Sequence, residues 1–405
     1  MANNNKHTGP NVPALRFPEF SGEWEKCSIQ DYGEVVTGNT PPTSHAEYYE
    51  NGSYLWASPA DLGINKNITE TKNKLSLSGF KKTRSIPQGS VLVTCIGSTI
   101  GKMGMATETM SSNQQINSIV VNDKSNSDFV YYAICRAFPR YLSEVGVQAV
   151  PILSKSNFEK LPNYTTCRDE QDKIGYFLNL LDERIATQSK IIEELKSLRS
   201  ALSESLYCDC DSLQEVSFND VGECYSGLSG KSSEDFGSGY PFVPYTNIFA
   251  NDVIDENQFE YVQIRENESQ NTVHYGDLLM TLSSETPEEV GIGSVYLGSE
   301  SHLYLNSFAF GIHITRTDLV YPPYLSWLVS TKSFRKFILP FAQGSTRYNL
   351  QKTDFMKAKY RFPTLERQKT IYKLLSSYSS KIDNEEKILD LYQFQKQGLL
   401  EQMFI

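Results

Sequence analysis

The sequence predicts an α+β chain in which two repeated globular modules are joined by two long helices that pair as an antiparallel coiled coil. Three observations carry that expectation. The chain repeats itself at an offset near 190 residues, each half closes on a heptad ladder, and the rest alternates short β-type runs with turn residues. The chain has 405 residues, 39% hydrophobic and 21% charged. That is enough for two or three domains with buried cores.

The repeat is collinear. DYGEVVTG at 31–38 returns as DVGECYSG at 220–227, an offset of 189. GSVLVT at 89–94 returns as GDLLMT at 276–281, an offset of 187, and LSKSNF at 153–158 as LQKTDF at 350–355, an offset of 197. Insertions in loops account for the drift.

Apolar residues then step by four and three. The first ladder is Ile174, Leu178, Leu181, Ile185, Gln188, Ile192, Leu195, Arg199, Leu202 and Leu206. The second, Ile371 to Met403, matches it position for position at an offset of 197. A 3.5-residue apolar period is the seam of a coiled coil. An ordinary amphipathic helix packed on its own module is the simpler alternative, and two matched ladders favour mutual pairing. The seam's polar positions are Gln188 and Arg199 in one helix, and Glu385 and Lys396 in the other. An antiparallel register places Arg199 opposite Glu385 and Gln188 opposite Lys396, whereas a parallel one faces Arg199 with Lys396. Polar seam residues fix register more than they add stability.

These signals divide the chain into an N-terminal arm (1–11), a first module (12–168), a first helix (169–207), a second module (208–366) and a second helix (367–405). The arm is polar and reads as flexible, without the apolar stretch of a secretory signal, and no run of about 18 apolar residues occurs anywhere. SVLVTCI (90–96), SIVV (118–121), DLLMTL (277–282) and AFGIHI (309–314) read as strands of irregular, mostly antiparallel sheets. The segments 129–142 and 321–338 read as helices. Seven scattered cysteines without a signal segment read as reduced thiols, and Cys208-Asp209-Cys210 lacks the spacing of a zinc knuckle, so no metal site is expected.

The net charge of −10 argues against a simple nucleic-acid binder, but the local balance differs. Residues 208–300 hold 18 acids against two bases. Residues 71–107 contain Lys72, Lys74, Lys81, Lys82, Arg84 and Lys102 and no acid. Residues 331–361 hold eight bases, among them Lys332, Arg335, Lys336, Arg347 and Lys352, against Asp354 alone. A charged run is often only a solvated face. Basic runs interleaved with Ser, Thr, Asn and Gln on both modules also suit a phosphate backbone. Candidate base readers nearby are Ser98, Thr99, Gln114, Gln115 and Asn117 in the first module. In the second they are Ser283, Ser284, Gln343, Ser345 and Thr346, because amides bond adenine edges and Arg bonds guanine.

Catalytic motifs do not emerge. The sequence has no Walker loop, no dinucleotide fingerprint, no nucleophile elbow and no zinc-protease helix. Tyr321-Pro322-Pro323-Tyr324 resembles the D/N-P-P-Y loop of DNA amino-methyltransferases, but Tyr321 cannot accept the bonds that the acidic or amide residue accepts. It reads as a helix start.

The motifs in sequence order resemble the specificity subunit of type I restriction-modification systems, over nearly the whole chain. VPALRFPEFSGEWEKCSIQDYGEVVTGNTP (12–41) is similar to the family's opening. STIGKMGMA (98–106) is similar to its T-I-G-K/R-x-G turn, and SSETPEEVG (283–291) to a stretch of one subset. FAQGSTRYNLQKTDFMKAKYRFPTLERQKTI (341–371) resembles the G-S-T-x-x-x-L segment leading into a P-x-x-x-E-Q-x-x-I helix start. The first half departs from it, since Pro162 lies nine residues before Gln171 and VQAVPILS (147–154) matches QGSTRYNL only loosely.

The resemblance implies two target-recognition domains, each reading one half of an asymmetric bipartite site on double-stranded DNA. The paired helices, about 54 Å for 36 residues at 1.5 Å each, would set the unread gap. They would dock two copies of a DNA adenine methyltransferase subunit, and a motor-nuclease restriction subunit would join for cleavage. The subunit itself would be no enzyme, take no cofactor, touch no membrane and act in the prokaryotic cytoplasm, at the nucleoid when bound. The competing readings are a coiled-coil scaffold with two protein-binding modules and no DNA readout, a stand-alone methyltransferase, and a phage-defence decoy built on the same fold.

Overall fold

The computed structural model describes residues 11–63, 65–144, 152–208 and 213–405. Residues 1–10 of the expected arm, residues 147–151 and the Asp209-Cys210 end of the cysteine pair lie outside them. The chain divides into two compact units, residues 11–189 with 387–405, and residues 190–386. Each unit holds one module and part of both long helices, which span Arg168–Cys208 and Leu365–Met403.

In the first unit a five-stranded sheet runs in the order Gly33–Thr37, Ile116–Val121, Val91–Thr94, Met103–Ala106, Asn67–Ile68. Its pairs are antiparallel except the last. A second sheet orders Lys74–Leu75, Tyr54–Ala57, Met110–Ser112 and Ser85–Ile86. The run VLVT is buried throughout because both of its faces are covered. Val91 and Val93 join a core with the helix Ser127–Glu144, while Leu92 enters another with Leu55, Ile86 and Ile116. Period-two alternation therefore splits one strand between two cores.

The second unit repeats this device. Its four-stranded antiparallel sheet orders Gly222–Ser226, Ala309–Ile314, Leu278–Thr281 and Gly293–Val295. Leu278 and Met280 enter one core and Leu279 the other. Smaller sheets surround it, one built on Phe236–Val243 and one pairing Ser283–Ser284 with Tyr348–Leu350. The predicted helix 321–338 is two helices, Pro322–Leu328 and Lys332–Ile338. The break has a local cause. The Thr331 hydroxyl donates to the Leu328 carbonyl and accepts from the Phe334 N–H at 3.1 Å, capping a new helix.

Matched polar devices tie each module to its long helix. Gln171, near the start of the first helix, donates to the Thr166 carbonyl and accepts from the Asn126 N–H. Gln368, its repeat mate, donates to the carbonyls of Pro363 and Leu319 and accepts from the Tyr321 N–H. Both side chains are buried. Each joins a long-helix start to the chain just ahead of a module helix, which gives the acid-Gln pair of the sequence a packing role.

The seam contacts run antiparallel within each unit. In the first unit Lys396 pairs with Asp182 at 2.5 Å, and Arg184 donates to Tyr392 at 2.9 Å. In the second, Lys196 pairs with Glu386 and Arg199 donates to Ser379 at 2.8 Å. Arg199 and Lys396 thus meet Ser379 and Asp182, where the expected register set Glu385 and Gln188 opposite them. The expected scheme assumed that the two helices satisfy each other alone. Instead the modules share in seating the cations. Lys396 lies 5.7 Å from the Tyr132 ring, and Arg199 lies 5.3 Å from the Trp327 ring.

The chain's last residues complete the first core. Phe404 meets Trp24 edge-on at 5.9 Å, and Arg140 donates to the Ile405 carbonyl at 2.7 Å. Leu206 and Tyr207, the repeat mates of Met403 and Phe404, pack on the second core.

Candidate nucleic-acid interface

In the first module Lys72, Lys74, Lys81, Lys82, Arg84 and Lys102 are all exposed. Among the described residues, none of the five lysine ammonium groups makes an ion pair, so their charge faces solvent. Lys74 sits on one edge strand of the four-stranded sheet, and Arg84 immediately precedes the other edge strand.

The Lys82–Arg84 segment is fixed to the loop after the strand Gly33–Thr37. Asn39 donates to the Lys82 carbonyl and accepts from the Arg84 N–H, while the Arg84 guanidinium donates to the Thr37 carbonyl. Thr40 donates to Gln114. Two cations are thereby joined to a rim of short polar side chains. Thr37 at the strand's end and Asn39 and Thr40 in the loop after it belong to the motif TGNTPP, and their polarity was the signal that sequence reasoning passed over.

Asn117 does not belong to this rim. It is 3% exposed, and its amide oxygen accepts from the Thr37 hydroxyl. It occupies a central strand whose faces are both covered, which removes it from base readout. Ser98 and Thr99 lie in the turn between Gly97 and Gly101, both at positive φ. Gly101 is required there, because a Cβ would sit 2.8 Å from the Phe138 ring. Gln115 reaches back to the Ile96 carbonyl at 3.5 Å, next to the same turn.

The basic run of the second module divides in two. Lys332 and Lys336 are exposed. Arg335 is turned inward, donating to the carbonyls of Glu288, Val290 and Gly291 at 2.6–2.7 Å, and burial lowers its pKa. Its role is to hold the 288–291 turn, and it does not present its charge to a ligand. Lys352 is half-buried, 5.7 Å from the Phe310 ring.

Arg347 reaches outward. Its guanidinium lies 5.7 Å from the Phe308 ring and donates to Ser283 at 3.2 Å. It borders an open cleft of about 960 Å³ that also meets Thr346, Ser283, Ser284, Phe249 and Phe308. Gln343 and Ser345 are exposed beside it. Ser283 and Ser284 are themselves buried, with Ser284 donating to Glu289. They therefore hold the wall in place, while Arg347, Thr346 and the rings face outward. Phe249 and Phe308 are 41% and 55% exposed. Large rings left in water beside an arginine form a surface suited to a flat, polar-edged ligand. Sequence reasoning missed both, although Phe308 stands alone between Asn306-Ser307 and a strand.

The fold defines a tandem-repeat protein, with one α+β module used twice and exposed cationic side chains on each copy. A model described as the type I restriction modification DNA specificity domain matches residues 21–197 and again 211–391. The chain belongs to that family and carries two copies of its domain. It is 28% identical over 185 residues to the HindI specificity subunit of Haemophilus influenzae, a match covering 43% of this chain and 39% of that protein. It is 28% identical over 202 residues to the MjaIX specificity subunit of Methanocaldococcus jannaschii, covering 48% and 46%. The chain thus spans under half the length of these two curated relatives. The MjaVIII subunit of the same archaeon aligns over 92% of this chain and 89% of its own at 22% identity.

The crystal structure of the S subunit of a type I restriction-modification system from M. genitalium shares the fold, with TM-score 0.55 and 16% identity over 97% of this chain and 99% of that one. A chain from a structure describing assembly and conformational transition of the type I system reaches 0.61 at 14% identity, over 94% and 97%. Among the described residues no helix is long and apolar enough to cross a membrane.

Proposed function

We propose that the chain is the non-catalytic DNA-recognition subunit of a type I restriction-modification complex, and that each module reads one half of an asymmetric, bipartite target. The observation that carries this reading is the duplication, in which the family's domain occurs twice and each copy bears a cation rim bordered by polar or aromatic side chains. The lysines and Arg84 of the first rim, with Lys332 and Lys336 of the second module, grip phosphates. Ser98, Thr99, Gln114 and Gln115 in one module, and Gln343, Ser345, Thr346 and Arg347 in the other, face base edges. The long helices set the unread gap and dock two methyltransferase subunits, which carry out adenine methylation. A motor-nuclease subunit completes the complex for cleavage, at the prokaryotic nucleoid.

The test is methylation mapping. The chain is co-expressed with its methyltransferase partner, and host DNA is sequenced for modified adenine. A bipartite motif with a fixed gap is the expected result, and exchanging one module must then change one half only. A continuous motif overturns the half-site reading. A soluble complex that modifies nothing favours a scaffold without DNA readout.

A further inference from the structure

The second module carries a cluster of histidines that the first lacks. Asp277, 3% exposed in its side chain, accepts from the Tyr225 hydroxyl at 2.6 Å and from the His274 N–H at 2.9 Å through one oxygen. Its other oxygen meets His313 Nδ1 at 2.6 Å. A carboxylate in this position only accepts, so His313 carries its proton on Nδ1 and turns the Nε2 lone pair away from Asp277. That Nε2 lies 2.9 Å from His274 Nδ1. His274 Nε2, on its far side, approaches the Thr272 hydroxyl at 3.4 Å. In the metal-free pair His274 Nδ1 donates that hydrogen bond, and an ion takes its place once the His274 proton moves to Nε2, where the Thr272 oxygen can accept it.

We propose that His274 and His313 form a binding site for a divalent transition-metal ion of the copper(II) or nickel(II) class, with Asp277 as the group that orients His313. The separation of the two nitrogens favours that class. Two imidazole nitrogens each about 2.0–2.1 Å from one ion stand about 2.9 Å apart when the angle at the metal is 90°, and about 3.3 Å apart at a tetrahedral angle. The hydrogen bond between the rings already holds the two nitrogens 2.9 Å apart, which the narrower geometry can take over without repacking. A right angle between nitrogen ligands is the preference of tetragonal copper(II) and nickel(II), whereas zinc favours the wider angle. Asp277 uses both oxygens on protein donors, which makes it an outer partner that fixes the tautomer. His313 and Thr272 line an open cleft of about 380 Å³, through which an ion and its water ligands can reach the pair. Water fills the remaining positions.

The repeat supplies an internal control. By the offsets of the paired strands and the turn, His274, Asp277 and His313 correspond to Pro87, Ser90 and Val120. The turns match in form, with Gly89 and Gly276 both at positive φ. Tyr225 corresponds to Val36, and in the first module Val36 and Val120 simply pack on the core. The fold therefore does not require the histidines. Gly311 makes room for the group, since a Cβ there would stand 2.0 Å from the Tyr225 ring.

The experiment titrates the full chain, stripped with a strong chelator, with copper(II) or nickel(II) chloride. Binding is followed by calorimetry, and copper ligation by electron paramagnetic resonance. The wild-type chain is expected to bind one ion with two nitrogen ligands and to lose that equivalent on His313→Val, the residue of the first module. Asp277→Ser keeps both imidazoles and is expected to weaken binding roughly 10–100-fold. His274→Gln provides the same test if His313→Val fails to fold, as judged by melting without metal. Absence of a stoichiometric ion on the wild-type chain, or equal binding by the folded variants, overturns the proposal.

Discussion

The two modules share a skeleton and differ in what they do with charge. In both, a strand with two covered faces divides its side chains between two cores, and a buried glutamine ties the module to a long helix. In both, a helix cation rests over a module ring. The surfaces then part ways. The first module leaves five lysine ammonium groups without ion pairs among the described residues. The second draws Arg335 inward and leans Arg347 and Lys352 over rings. The comparison separates positions that hold the repeat together from positions free to diverge.

The largest effect should fall on the shared skeleton. Leu92 and Leu279 are fully buried equivalents, each in a core that no long-helix residue joins. Leu92→Ala and Leu279→Ala should each cost about 2–5 kcal/mol. Denaturant unfolding should show the loss in one transition per variant, that of the unit mutated. If one substitution shifts both transitions equally, the units do not unfold independently and the parallel between them breaks.

The next effect separates the arginines of one basic run. Arg335→Ala should destabilise the second unit by about 1–3 kcal/mol, because three carbonyls lose their donor. Arg347→Ala should leave melting nearly unchanged and relax discrimination in one half-site by about 1–3 kcal/mol. Competition binding with targets altered in that half reads the second effect. Unaltered discrimination removes Arg347 from the interface.

Sequence alone made the skeleton legible for a physical reason. Strand burial, heptad period and repeat offset are all expressed in apolar spacing, which packing enforces locally. Register and surface were less legible. Arg199 and Lys396 stand on the ladder, but besides Ser379 and Asp182 they meet the rings of Trp327 and Tyr132, which lie elsewhere in the chain. Asn117 read as an exposed base reader and Arg335 as an exposed phosphate contact, because side-chain type does not reveal which face of a strand or helix is covered. The histidine cluster was invisible for the same reason, since its three members are brought together only by a turn and a strand.

A smaller effect distinguishes the rims by their salt dependence. Lys81→Ala with Lys82→Ala should weaken binding of any duplex and lower the slope of log K against log salt by about 2, roughly 0.9 for each phosphate contact removed. Lys352→Ala should change that slope little, because its ammonium already rests on Phe310. An unchanged slope in the double variant means that phosphates are gripped elsewhere.

The smallest expected difference lies in a repeated turn. Asp31 accepts from the Ser28 hydroxyl and N–H, and Asp220 accepts likewise from Ser217. These bonds hold both carboxyls below the usual aspartate range, the serine hydroxyl contributing most. Lys359 and Arg316 lower Asp220 further, and no cation does so for Asp31. A carboxyl depressed in the folded state contributes stability that is fully present above its unfolded pKa, about 3.9. That contribution is lost as pH falls through the folded value. Asp31→Asn and Asp220→Asn should therefore lower melting temperature near pH 7, and the deficit should shrink as pH falls below the usual aspartate range. The Asp220 variant should show the larger deficit at low salt and lose part of it in high salt, because its extra partners are exposed charges that salt screens. The Asp31 deficit should be insensitive to salt, being made of hydrogen bonds alone. Equal salt responses would mean that Lys359 and Arg316 do not act on Asp220, and that the two turns are electrostatically alike.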